Sequence, residues 1–134
     1  MKRLNDIGFV KVGEWHKNET IFSHNIENHL NEKKLLYTFS CNGEVLYIGK
    51  TTDTLKSRMT GYKNANSTQK TNVRVKAKIL ELLEEKKTVE IYIFVDKAKL
   101  TYKGYNLCLA SALEDILISQ INPKWNDRGV LKAK

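Results

Sequence analysis

"LLYTFSCNGEVLYIGKT", residues 35–51, decides the fold. Two strand-like runs flank Asn42-Gly43, a dipeptide whose easy access to positive φ makes it a strong hairpin signal. Each run carries a tyrosine, Tyr37 and Tyr47, and the second ends in Gly49, Lys50 and Thr51. A two-residue turn at Asn42-Gly43 pairs Tyr37 with Ile48 and Tyr47 with Thr38, which sends the tyrosines to opposite faces. A three-residue loop, Cys41-Asn42-Gly43, with Gly43 left-handed and a bulge beside it, sets Tyr37 opposite Tyr47. Propensity slightly favours the first register. A task shared by the tyrosines favours the second.

Beyond the hairpin, Leu55, Met59 and Tyr62 recur at helical spacing, and Asp53 or Thr52 can cap a helix from about 54 to 62. "KNANSTQKTN" is loop by composition. Residues 73–86 begin like a strand, but their length and Ile79, Leu82 and Leu83 decide for helix. "TVEIYIFV", 88–95, is a strand, and "KAKLTYKGYN" a loop or a further short hairpin. Residues 107–121 form a helix with Leu109, Leu113, Ile116, Leu117 and Ile121 inward, ended by Asn122-Pro123. Residues 1–34 are least informative: a short strand in "IGFVKVGEWH", then loop or short helix in "SHNIENHLNEKK". The order hairpin, helix, helix, strand, helix predicts an α+β domain, a small central antiparallel sheet flanked by helices. On this reading residues 1–34 are an N-terminal extension packed on a domain of residues 35–134, within one domain overall.

A chain of 134 residues is long enough for one core. No apolar run approaches a membrane span, and the first residues lack the apolar stretch of a signal peptide. Cys41 and Cys108 have no metal-type or redox spacing and read as reduced thiols, which predicts a cytoplasmic protein. Charge is more telling. Twenty-three Lys and Arg stand against fifteen Asp and Glu, and residues 50–80 hold eight of the cations against Asp53 alone. Solvated faces normally mix signs, so a one-sign block with Asn, Ser, Thr and Tyr interleaved points to a polyanion, nucleic acid. Arg74 and Lys76 fall in the first turn of the predicted 73–86 helix, where the macrodipole disfavours cations; an approaching phosphate would remove that conflict.

Leu35-Leu36-Tyr37, followed ten residues later by Tyr47-Ile48-Gly49, resembles the signature of the GIY-YIG nucleases. The first triplet departs from it, with leucines where the family has Gly and Ile, but keeps the tyrosine. Arg58 follows on the next helix, with Tyr62 four residues on, so both project from one helix face. Glu114 sits mid-helix in "SALEDILI" and Asn126 closes the pattern in "NPKWND". The chain is most similar in feel to small stand-alone members, the phage endonuclease II type and the GIY-YIG restriction enzymes.

The resemblance implies a metal-dependent endonuclease that hydrolyses phosphodiesters in double-stranded DNA. Arg58 would bind the phosphate with its charged fork. Glu114 would hold one Mg²⁺ or Mn²⁺ ion, which keeps several waters and so needs few carboxylates. Tyr37 would take a proton from the attacking water. A free tyrosine titrates near pH 10, so that role needs a depressed pKa, supplied by Lys50 or the metal, or a transient one. Tyr47 and Tyr62 would orient water or phosphate. Asn126 either binds backbone phosphate or braces the site. Lys50, Lys63, Lys70, Arg74 and Lys76 would line the path of the DNA.

Other features are discounted. His16, His24 and His29 lie in a stretch that superficially suggests another nuclease motif, but no downstream ligand set follows. Tyr92 reads as structural. A site of this kind cuts one strand, so a homo-oligomer on DNA is expected. Two other readings stand beside the nuclease: a catalytically inactive nucleic-acid-binding module of the same fold, and a protein-interaction domain with an incidental basic face.

Overall fold

Five strands form one antiparallel sheet. A computed structural model describes residues 1–66 and 68–126; the basic tail "GVLKAK" lies outside them. In chain order the elements are α1 (Lys2–Asp6), β1 (Val10–Lys17), β2 (Phe22–His24), β3 (Leu35–Cys41), β4 (Glu44–Thr51), α2 (Leu55–Lys63), α3 (Lys70–Glu84), β5 (Val89–Val95), β6 (Thr101–Tyr102), β7 (Tyr105–Asn106) and α4 (Leu109–Ile121). The architecture is the expected α+β one. The sheet order is β2-β1-β5-β3-β4, and residues 1–34 supply two of its five strands, β1 lying between β2 and β5.

Helices cover both faces. On one, Tyr37, Phe39, Ile91 and Ile93 pack with Leu55, Met59 and Tyr62 of α2 and with Val75 and Ile79 of α3. On the other, Leu36, Val45 and Ile48 pack with Ala110, Leu117 and Ile118 of α4. Strand β3, sandwiched between them, is buried at every position. Ile116, expected inward, is half exposed, and Ala110 and Ile118 take the inner face of α4.

The hairpin follows neither anticipated register. Asn42 and Gly43 both have positive φ, and Cys41 pairs with Glu44, so the turn is the two-residue one. Beyond it the pairing shifts: Ser40 faces Val45, but Phe39 faces Tyr47 and Tyr37 faces Gly49. Leu46 is the extra residue of a β-bulge. Leu46 and Tyr47, though adjacent, join the same cluster, whereas Val45 and Ile48 belong to the opposite one. The bulge, rather than loop length, brings both tyrosines to one face, their ring centroids 6.2 Å apart.

Strand β4 is a sheet edge, and the chain after α4 closes it. Asn122 ends α4 in the left-handed conformation and Pro123 follows, as the sequence predicts. The turn delivers the Trp125 amide to the Leu46 carbonyl at 2.8 Å. Helix α2 is capped by Thr54, not Asp53 or Thr52: its side chain accepts the Ser57 amide. Helix α3 begins at Lys70, three residues before the predicted start, so Arg74 and Lys76 lie beyond its first turn.

Candidate active site

Arg58 is the hub of the site. It lies one turn into α2, and its side chain reaches back over the sheet. Its Nε donates to the Tyr37 hydroxyl at 2.8 Å, and one terminal nitrogen donates to the Tyr62 hydroxyl and the Asn72 side-chain oxygen, each at 3.0 Å. The tyrosine hydroxyls share a further hydrogen bond of 2.7 Å. The guanidinium lies over the Tyr62 ring, 4.4 Å from its centroid. An arginine carries five N–H groups. The network engages Nε and Nη2 and leaves the two on Nη1 without a partner among the described residues. They lie beside Gly61, where a Cβ would sit 3.4 Å from Nη1.

Tyr37 and Tyr62 are fully buried, and burial pushes both hydroxyls well above their ordinary pKa. Arg58 offsets only part of this. The direction is opposite to the depression a ready-made base requires. Burial also acts to lower the Arg58 pKa, but the facing tyrosines outweigh it and the guanidinium is held above its ordinary value. Tyr47 stands apart. It retains 8% exposure, and its hydroxyl has no partner among the described residues.

The other half of the site faces α4. Lys50, the residue after Gly49, points to the opposite side of β4 and donates to Ser111 at 3.1 Å. Glu114, one turn further along α4, is half-buried and makes no salt bridge among the described residues. Burial raises its carboxyl pKa, Lys50 pulls it back in part, and Asp115 adds to the rise. Gly49 lies on β4 just before Lys50, opposite Tyr37. A Cβ there would sit 2.5 Å from the Tyr37 hydroxyl oxygen, so only glycine lets that tyrosine lie across β4.

The remaining expected residues divide. Asn126 is buried and clamps β4: its side-chain oxygen accepts the Ile48 amide at 2.9 Å, and its amide donates to the Ile48 carbonyl at 2.8 Å. Arg74 donates to the Trp125 carbonyl, and Lys76 donates to the carbonyl of Lys63 at the C-terminus of α2, a favourable place for a cation. Neither faces a helix N-terminal phosphate position. Lys50, Lys63 and Lys70 are exposed. Asn72 escaped the sequence reading. Its signal was there, an amide on the buried stripe Asn72, Val75, Ile79 of an amphipathic helix.

No protein-family model and no curated protein sequence matches the chain. Solved structures do. A mutant of bacteriophage T4 EndoII is similar at 26% identity over 94% of this chain and 97% of that one, with a TM-score of 0.70. The restriction endonuclease HPY188I in complex with product DNA is similar in fold, at 18% identity over 98% of this chain and 84% of that one, TM-score 0.56. The GIY-YIG N-terminal endonuclease domain of UvrC from Thermotoga maritima covers 74% of this chain at 25% identity, TM-score 0.48. The fold, the ordered motif residues and the near-full-length similarity to EndoII support a GIY-YIG-type endonuclease. Within that class the chain resembles the small stand-alone enzymes of the phage endonuclease II type.

Proposed function

We propose that this protein is a divalent-metal-dependent endonuclease of double-stranded DNA. The observation that carries the reading is the Arg58 fork, anchored through three hydrogen bonds with one edge left free. A guanidinium fixed in this way is already oriented for a phosphate oxygen, and no reorganisation is needed as charge develops. As water attacks phosphorus, a new P–O bond forms, the bond to the leaving sugar oxygen breaks, and the water's proton ends on that leaving oxygen. The extra charge on the non-bridging oxygens then faces Arg58. Tyr37 and Tyr62, held as neutral phenols, position Arg58. Tyr47, with its unpartnered hydroxyl, orients the attacking water.

Glu114 fits a hard cation. It is a half-buried carboxylate with Lys50 nearby but no salt bridge among the described residues, and no group of three or more His, Cys, Asp or Glu there competes as a metal site. Such a site suits Mg²⁺ or Mn²⁺ with water filling the other positions, not a zinc cage. When bound, one such ion would supply Lewis-acid stabilisation of the phosphate and the leaving oxygen. Lys50, beside Glu114, would meet the same phosphate backbone. Asn126 braces β4 beneath both halves of the site. One site cuts one strand, so two copies of the chain would act on a duplex.

Supercoiled plasmid tests this directly. Wild-type protein should convert it to nicked and linear forms with Mg²⁺ and leave it intact with chelator. Binding without cleavage in Mg²⁺ would instead support an inactive nucleic-acid-binding module.

A further inference from the structure

Between β5 and α4 the chain leaves the sheet and returns as a two-stranded ribbon, β6–β7, in which Thr101 pairs with Asn106 and Tyr102 with Tyr105. Lys103 and Gly104 form its turn, both at positive φ. Residues directly opposite in an antiparallel pair share a face, and that face alternates with the next pair. Leu100 and Leu107, joined by a 2.8 Å backbone hydrogen bond, therefore continue the face of Tyr102 and Tyr105. All four are exposed, Tyr102 by 62% and Tyr105 by 75%. An isolated two-stranded ribbon is marginal in water, and a bare aromatic face on one marks a contact surface.

Its surroundings identify the partner. The segment 97–106 carries Lys97, Lys99 and Lys103 and no acidic residue, and the Lys103 amine lies over the Tyr102 ring, 5.5 Å from its centroid. Asp96, the acid just before it, is turned inward. Its carboxylate accepts the Leu109 and Ala110 amides at 2.6 and 3.3 Å and so caps α4 in place of Cys108. That cap ties the foot of the ribbon to the helix bearing Glu114. Leu100 and Leu107 also line a cleft of about 600 Å³ that reaches Ser111, the residue bonded to Lys50. The cleft thus runs from the foot of the ribbon to Ser111, which bonds Lys50.

We propose that the β6–β7 ribbon is a DNA-reading element. It enters a groove of the duplex beside the scissile phosphate, with Tyr102 and Tyr105 against the bases and Lys99 and Lys103 against the flanking phosphates. The major groove admits a two-stranded ribbon, and aromatic side chains gain most where they pack on base edges or wedge between steps. The inference rests on the nuclease reading and assigns its site selection to these residues.

The test is the double variant Tyr102→Ala/Tyr105→Ala, with Tyr105→Ala alone as a second variant should the pair disturb folding. Circular dichroism and thermal midpoint should match wild type, since both side chains are exposed. Affinity for a labelled duplex in chelator at fixed salt should fall about tenfold or more, and the map of cleavage sites on a plasmid of known sequence should change in Mg²⁺. A wild-type enzyme that cuts, beside a variant with the same affinity and the same map, overturns the ribbon's role and leaves the nuclease reading standing. A variant that only loses self-association, with affinity and map unchanged, also overturns it by making the ribbon a contact between copies. A wild-type protein that neither binds nor cuts duplex DNA overturns both readings.

Discussion

In the proposed function Glu114 is where stability and chemistry meet in one side chain. Burial raises its folded-state pKa above the unfolded value. Its contribution to stability is therefore fully present below the ordinary carboxylate range and is lost as pH rises through the raised pKa. Glu114→Gln should melt above wild type at pH 7 without divalent ions, and the gap should close at about pH 3, where both forms are neutral. Excess Mg²⁺ should raise the wild-type midpoint and leave the variant unmoved. A variant no more stable than wild type at pH 7 contradicts the burial argument. Asn72 makes a second residue-scale case. Asn72→Ala removes one of the three anchors of Arg58 and should cost about 1–2 kcal/mol, read by urea denaturation. Its cleavage rate should drop by about tenfold as the fork loses orientation. Unchanged cleavage would mean that two tyrosines suffice to hold the guanidinium.

At the scale of elements, the least regular piece of β4 matters most. The bulge at Leu46 puts Tyr47 beside Tyr37, and the segment after α4 holds that irregular edge through Asn126 and Trp125. Asn126→Ala strands the Ile48 amide and carbonyl away from water, which should cost about 2–4 kcal/mol. The loss should appear in thermal melts as well as in cleavage; a drop in cleavage with an unchanged midpoint would point to phosphate contact instead. Sequence reasoning reached the hairpin, the helices α2, α3 and α4 and the strand β5, because Asn-Gly, period-2 and period-3.6 patterns are local signals. It reached neither the bulge nor the place of β1 inside the sheet. A bulge at Leu46 is set by packing on both faces at once, and the pairing of β1 with β5 spans most of the chain. The site divided the same way. Tyr37, Tyr47, Arg58, Tyr62, Glu114 and Asn126 are singled out by the family resemblance, and of these the fold joins Tyr37, Arg58 and Tyr62 by hydrogen bonds. Only folding brings Asn72 to Arg58, Ser111 to Lys50 and Asp96 to the first turn of α4.

At the scale of the molecule, charge and chemistry separate. Arg74 and Lys76 are engaged inside the fold, so the cations free to meet a polyanion from the basic block include Lys50, Lys63 and Lys70. Lys63→Glu with Lys70→Glu should weaken binding to every duplex sequence alike and flatten the salt dependence of log K by about 2. Binding that keeps its salt slope would put the DNA path elsewhere. In the proposed mechanism Glu114 serves cleavage and not affinity, by holding a metal ion. Its neighbour Asp115 is exposed and about 100° around the helix, which makes it the natural control. The deciding measurement follows plasmid cleavage over a Mg²⁺ titration, with duplex affinity in parallel, for wild type, Glu114→Ala and Asp115→Ala. Glu114→Ala should bind DNA as tightly as wild type and cut at no Mg²⁺ concentration, while Asp115→Ala cuts normally. Cleavage by Glu114→Ala at the wild-type rate would contradict the account.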